Sequence, residues 1–330
     1  MRTLLLNKTE VGSLIDLDGI LLSVEKGYAH FSSGKVVQPD FINLVKPGTH
    51  TGFDFKTGYD LERNIISVKS SSGGYADNPA QGLPTGLNMV YLYDGSTSVL
   101  KCIMDGTWIT GCRTAAAGAI SVKYLARKNA TKLAMIGTGG QARRQLRAII
   151  RVRPITEVYV FGYHPDHVET YIKEMSEEFG IRFIPCSDPD EAVSQADIVV
   201  TTTQGRRGIV VNKDSVRPGT HIVAVGADVS DKQEVDPLIF SNAKVVNDSI
   251  ALCLKNGDTH HAVDQGIISS SMIHGEIGEI ILGQKKGREN EEEITIFDTV
   301  GMAIQDISMA TDIYEKAQEK EMGTYFDFIE

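Results

Sequence analysis

Cysteine is scarce in this chain, and so are long apolar runs and positive charge. The four cysteines, Cys102, Cys112, Cys186 and Cys253, are scattered with no paired spacing, which suits reduced thiols in a cytoplasm and offers no metal-ligand set. No apolar stretch approaches the roughly 20 residues that span a bilayer, and in the opening MRTLLLNKTEVG the apolar part is too short for a secretory signal. A membrane partner and a secreted location are therefore not expected. Lysine and arginine total 33 against 43 acidic residues, a formal charge of −10 with a pI near 5.3. The electrostatic attraction that nucleic-acid binding depends on is thus absent. Repeats and low-complexity tracts are missing too, and KKGRENEEE (285–293) reads as a solvated charged turn. What remains is a 330-residue chain with 42% hydrophobic residues, enough for two domains with real cores.

The most informative stretch is KLAMIGTGGQARRQLRAI (132–149). Its apolar run Leu133 to Ile136 reads as a buried strand, and Ala142, Leu146 and Ile149 recur at helical spacing. Gly137, Gly139 and Ala142 form Gly-x-Gly-x-x-Ala: the first position permits a tight turn, the second lets a pyrophosphate approach the backbone, and the small third lets helix and strand pack closely. Free N–H groups at the helix start would face the phosphates. Downstream, the strand TEVYVFGY, the amphipathic helix 164–180 stopped by Gly180, then IRFIP, the helix-like DPDEAVSQA capped by Asp188, DIVVTTT, HIVAVGA and AKVVND keep a strand–helix alternation. That rhythm predicts a parallel sheet in a Rossmann domain over 125–299, with ligands at the carboxyl ends of its strands. The first 124 residues are different: a helix from 10 to 34, then β-rich runs FINLV, NIISVK, GLNMVYLYD and TSVLKCIMDG, with LYDGSTSVLK a hairpin. A helix over 301–320 is expected to return to this part, giving an α/β protein with a discontinuous α+β substrate and dimerisation domain, 1–124 plus 300–330.

Several blocks carry a resemblance: NPAQGLPTG (78–86), GCRTAAAGAISVKYLARKNA (111–130), MIGTGGQA (135–142), VGADVSDKQEVD (225–236), EIGEIILG (276–283) and IFDTVGMAIQD (296–306). In this order along nearly the whole length, the chain resembles the ornithine cyclodeaminase/mu-crystallin family. That family contains cyclodeaminases, archaeal alanine dehydrogenases, ketimine and pyrroline-carboxylate reductases, and vertebrate members that bind thyroid hormone. The resemblance implies NAD or NADP chemistry at an amino-acid Cα–N bond, in a homodimer built through the non-Rossmann domain. It also implies that Lys69 meets the substrate carboxylate, that Arg113 sits between substrate and cofactor pyrophosphate, and that Thr299, Val300 and Gly301 lie near the nicotinamide.

Such chemistry needs a hydride acceptor, a cation for the carboxylate and a base for the amine or water. Lys69 ends an apolar strand, where a charge calls for a partner, and Arg113 opens a run of small residues suited to a closely packed helix. Asp228 follows an apolar strand at its carboxyl end and is assigned the acid/base role. The cofactor set is completed by Thr114, by Thr138, Gly140 and Gln141 in the glycine turn, by Tyr163 and His164, by Thr201, Thr202 and Thr203, and by Val225, Gly226 and Ala227 beside Asp228. His260 and His261 lack further ligands at metal spacing and read as loop or interface residues.

Two departures from the family pattern bear on the substrate. Phe41 stands where relatives carry a cation, and Lys56 stands where ornithine cyclodeaminases carry the glutamate that holds the distal amine. Ornithine is disfavoured; an apolar or acidic side chain is favoured. After the second strand Gly162-Tyr163-His164 offers no carboxylate to a ribose hydroxyl, which tilts towards NADP, although no arginine stands at that point of the sequence. Three readings stay open: an amino- or imino-acid oxidoreductase, a cyclodeaminase that recycles its cofactor internally, and a non-catalytic cofactor-dependent binder.

Overall fold

The computed structural model describes residues 2–75 and 77–328 in two compact units, Met1–Arg113 with Met302–Glu330, and Thr114–Gly301. In chain order, unit 1 opens with β1 (Arg2–Leu6), α1 (Lys8–Ser13) and α2 (Leu17–Ser32). One helix was expected over 10–34, and two are present. Asn7 Oδ1 accepts from the amides of Thr9 and Glu10 while Glu10 accepts from the Asn7 amide, a capping box that starts α1. Asp16, extended at φ −131°, then starts α2 afresh. β2 (Val36–Val37), β3 (Ile42–Val45), β4 (Gly52–Asp60), β5 (Ile65–Gly73), β6 (Asn88–Asp94) and β7 (Leu100–Asp105) follow. The β6–β7 connection is the hairpin read from the sequence, its turn closed by Asp94 accepting from the Ser96 and Thr97 amides.

Helix α3 (Thr107–Leu125) carries the chain into unit 2, so the boundary falls inside it and not at 124/125. Unit 2 continues with β8 (Lys132–Ile136), α4 (Gly140–Ile149), β9 (Glu157–Phe161), α5 (Pro165–Phe179), β10 (Arg182–Pro185), α6 (Pro189–Gln195), β11 (Ile198–Thr201), β12 (His221–Ala224), β13 (Ala243–Asn247), α7 (Ile250–Cys253), α8 (Gly257–Asp264), β14 (Gly275–Glu276), α9 (Ile277–Ile281) and β15 (Ile294–Asp298). The small residues of α3 have their reason here. A Cβ on Gly118 would stand 2.1 Å from Oε1 of Gln145 on α4, and Gln145 Nε2 donates to the Thr114 carbonyl at 3.0 Å. Helix α10 (Ala303–Glu319) and β16 (Thr324–Asp327) then return to unit 1.

The sheet of unit 2 is wholly parallel, in the order β10-β9-β8-β11-β12-β15-β13-β14. Its first five strands follow the doubly-wound 3-2-1-4-5 order, whose switch point lies between β8 and β11. The interior strands are buried on both faces, β11 and β12 throughout, as parallel sheets require. The unit 1 sheet runs β16-β1-β7-β6-β5-β4-β2 with β3 beside β4, mostly antiparallel. Helices α10 and α2 pack together, and α10 also lies on β4 and β5. Gln305 and Asp306 interrupt the largely apolar inward face of α10 at full burial, and Ser308 and Thr311 are its other buried polar residues. Among the described residues no helix is long and apolar enough to cross a membrane.

Candidate active site

In unit 1 the interruption on α10 has partners. Lys69 on β5 is 1% exposed, and its Nζ lies 2.7 Å from Oδ2 of Asp306. Arg113 Nε donates to the other oxygen, Oδ1, at 3.0 Å, and Arg113 Nη1 donates to Gln305 Oε1 at 2.9 Å. Gln305 in turn accepts from the Met302 amide and donates to the Tyr28 hydroxyl. One carboxylate thus holds two cations, each from a different element, and a glutamine fixes the guanidinium plane. Burial opposes the charge on Lys69, and Arg113 and Lys56 add repulsion; against the pull of Asp306 these bring its pKa down to about 7. Burial also opposes the charge on Asp306, but Lys69, Arg113 and Lys56 outweigh it and hold the carboxyl below its ordinary value.

Strand register adds a third cation. Lys56 on β4 is the direct antiparallel partner of Lys69 on β5, so both side chains leave the same sheet face. The Lys56 Nζ stands 4.1 Å from the centre of the Phe41 ring. Lys69, Arg113, Lys56 and Phe41, singled out in sequence, therefore belong to one neighbourhood. Asp306, Gln305 and Tyr28 were missed. A charged residue on the inward stripe of an amphipathic helix was the available signal for Asp306.

In unit 2 the glycine turn links β8 to α4. Gly137 has φ +113° and donates its amide to the Phe161 carbonyl, and a Cβ there would meet Thr202 Oγ1 at 2.5 Å. Gly139 is the N-cap of α4 without a side-chain cap, and a Cβ on it would meet no atom within 4 Å. Thr138, Gly140 and Gln141 continue the turn; Ala142 is fully buried, as close helix–strand packing demands. An uncapped helix start beside a glycine with room around it fits a pyrophosphate, whose oxygens can take the free amides.

The other carboxyl-end residues are held by buried acids. Thr203 donates its amide and hydroxyl to Glu234 Oε1, and a Cβ on Gly226 would stand 2.0 Å from that same carboxylate, so the backbone between Val225 and Ala227 passes where only glycine fits. Asp248 accepts from the Thr299 hydroxyl at 2.6 Å and the Gly301 amide at 2.8 Å, fixing the segment through Val300. Asp258 accepts from the Glu234 and Val235 amides, and Asp298 from the Thr259 amide. Burial and neighbouring acids push the Asp258 carboxyl well up, and burial foremost raises that of Asp298 to about 7. Thr201 is buried at the end of β11, and Thr202 donates to the Ile136 carbonyl. Asp228, on unit 2, is half exposed and ion-paired to Lys232. His260 contacts the Leu254 carbonyl and Asp264, and His261 the Lys232 carbonyl, which gives both structural partners.

These features define a class: a dinucleotide-binding Rossmann unit with a second unit that buries two cations on one carboxylate, that of Asp306. Comparison with known proteins narrows it. The model of the ornithine cyclodeaminase/mu-crystallin family matches residues 1–321, and the chain belongs to that family. It is 38% identical to the alanine dehydrogenase of Archaeoglobus fulgidus, over 99% of both chains. The fold matches an archaeal alanine dehydrogenase dimer with bound NAD at a TM-score of 0.94, with 36% identity and full coverage of both chains. It matches the Δ1-pyrroline-2-carboxylate reductase of Thermococcus litoralis in complex with NADH and L-proline at 0.91, with 34% identity over 98% of this chain and 99% of that one.

Proposed function

We propose that the chain is an NAD(P)-linked oxidoreductase that interconverts an amino acid and its imino acid at the Cα–N bond. The observation that carries this reading is the buried Lys69–Asp306–Arg113 cluster. Two cations held by one carboxylate keep a net positive charge in a dry place, which a substrate carboxylate is suited to neutralise. The dinucleotide, when bound at the Gly137–Ala142 turn, supplies the hydride acceptor or donor. Lys69 and Arg113 bind the substrate carboxylate and fix its orientation. Asp306 and Gln305 hold the two cations in place, acting through them and not on the substrate. Asp228 moves the proton on the substrate nitrogen, taking it as the imine forms and returning it in reduction. Lys56 and Phe41 meet the side chain. The assembly is a homodimer through unit 1. In support, the named relatives act on alanine and on a cyclic imino acid, and one is described as a dimer with NAD.

The test is a scan of amino acids, and of 2-oxo acids with ammonia or amines, followed at the nicotinamide absorbance with both cofactors. Net turnover of added cofactor is expected. Ammonia release from a diamino acid without net cofactor turnover would replace this reading with a cyclodeaminase.

A further inference from the structure

The end of β9 lacks the acid that usually meets a ribose 2′-hydroxyl about 20 residues beyond the glycines; Gly162, Tyr163 and His164 stand there instead. The structure brings to this point a cation from another loop. Arg207, beyond the end of β11, lies with its guanidinium carbon 4.3 Å from the centre of the Tyr163 ring. Tyr163 is held as a platform, its ring meeting Phe161 edge-on at 5.5 Å. Arg207 is exposed and makes no ion pair among the described residues, whereas its neighbour Arg206 is paired with Asp231. The exposed imidazoles of His164 and His167 lie 5.1 Å apart at the start of α5. Of the nearby acids, Glu234 is already bonded to Thr203, and Asp166 and Glu169 on α5 are exposed.

We propose that this end of the cofactor site is built for a phosphorylated ribose, so that the chain takes NADP(H) in preference to NAD(H), with Arg207 as the ligand of the 2′-phosphate. The inference rests on the dinucleotide reading above. A guanidinium stacked on an aromatic face keeps its edge donors free for a phosphate and loses little freedom in binding it. A neutral ribose hydroxyl gains far less from a fixed cation and finds no carboxylate at the strand end to accept its proton.

Calorimetric titration of the purified protein with NADPH, NADH, 2′,5′-ADP and 5′-AMP tests this without reference to turnover. NADPH is expected to bind about 10- to 100-fold more tightly than NADH, and 2′,5′-ADP to exceed 5′-AMP by a similar factor. Arg207→Ala should bring NADPH down to the level of NADH, and Arg207→Lys should keep part of the difference. NADH binding as tightly as NADPH, or a preference that survives Arg207→Ala, overturns the proposal while leaving the dinucleotide reading intact. Failure of all four compounds to bind overturns both.

Discussion

Two glycines one residue apart do different work. Gly139 has ordinary backbone angles, φ −80°, and room around it, so Gly139→Val should fold with an unchanged melting temperature while filling the space a pyrophosphate needs. Loss of cofactor binding by titration is the expected result; unchanged binding would place the phosphates elsewhere. Gly137 has φ +113° and would drive a Cβ into Thr202, so Gly137→Val should instead lower the melting temperature itself. Among the described residues, Asp306 is the carboxylate that pairs with both buried cations. Removing one member of a buried pair costs about 3–5 kcal/mol, so Asp306→Asn should both lower the melting temperature and weaken substrate binding. Its particular signature is a pH shift. In the free wild-type enzyme Lys69 loses its proton near pH 7, and only the protonated form attracts a carboxylate, so kcat/KM for imine reduction should fall as pH rises through about 7. Without Asp306 the remaining neighbours Arg113 and Lys56 only repel, and that limb should move to lower pH. A variant that lost stability with the limb unmoved would make Asp306 structural only.

At the scale of elements, the β4–β5 register decides what kind of side chain the site accepts. Lys56 opposite Lys69 sets two cations on one face, and a substrate with a distal ammonium brings a third. Like charges a few ångströms apart in a partly buried site cost on the order of 2 kcal/mol, a factor of about thirty in affinity. Ornithine and lysine should be poor substrates by steady-state kinetics, and Lys56→Glu should shift the preference towards them; efficient ornithine turnover by the unmodified chain would refute this. The Rossmann elements from β8 to β12 were legible because each is a local apolar run or amphipathic helix closed by its own cap. The hairpin was legible for the same reason. What escaped depends on distant partners. β15 inserts between β12 and β13, and β16 pairs with β1 from the other end of the chain; neither choice is written in the strand itself. Likewise Arg207 reaches Tyr163 only because β11 and β9 flank β8 in the sheet, and so no arginine was visible at that point of the sequence.

At the scale of the whole molecule, unit 1 carries an apolar strand that the chain itself leaves exposed among the described residues. β3 pairs only with β4 among the described strands, and Ile42, Leu44 and Val45 on it are 57–58% exposed, with Val37 and Phe53 close by in the same sheet. A short strand with an unpaired edge and apolar side chains is an aggregation template unless something covers it. A second copy of the chain is the occupant that the proposed homodimer supplies. Light scattering should then give twice the chain mass of 36.0 kDa, and Leu44→Glu should shift the population towards monomer at micromolar concentration. The net charge of −10 on each copy works against association at long range, and salt screens that repulsion while leaving apolar burial in place. Dimerisation should therefore tighten, not weaken, as salt is raised from about 10 mM to about 150 mM. A dimer that dissociates on adding salt would point to an ionic interface elsewhere on the chain, and a monomer of 36.0 kDa under all conditions would leave the β3 edge to some other partner.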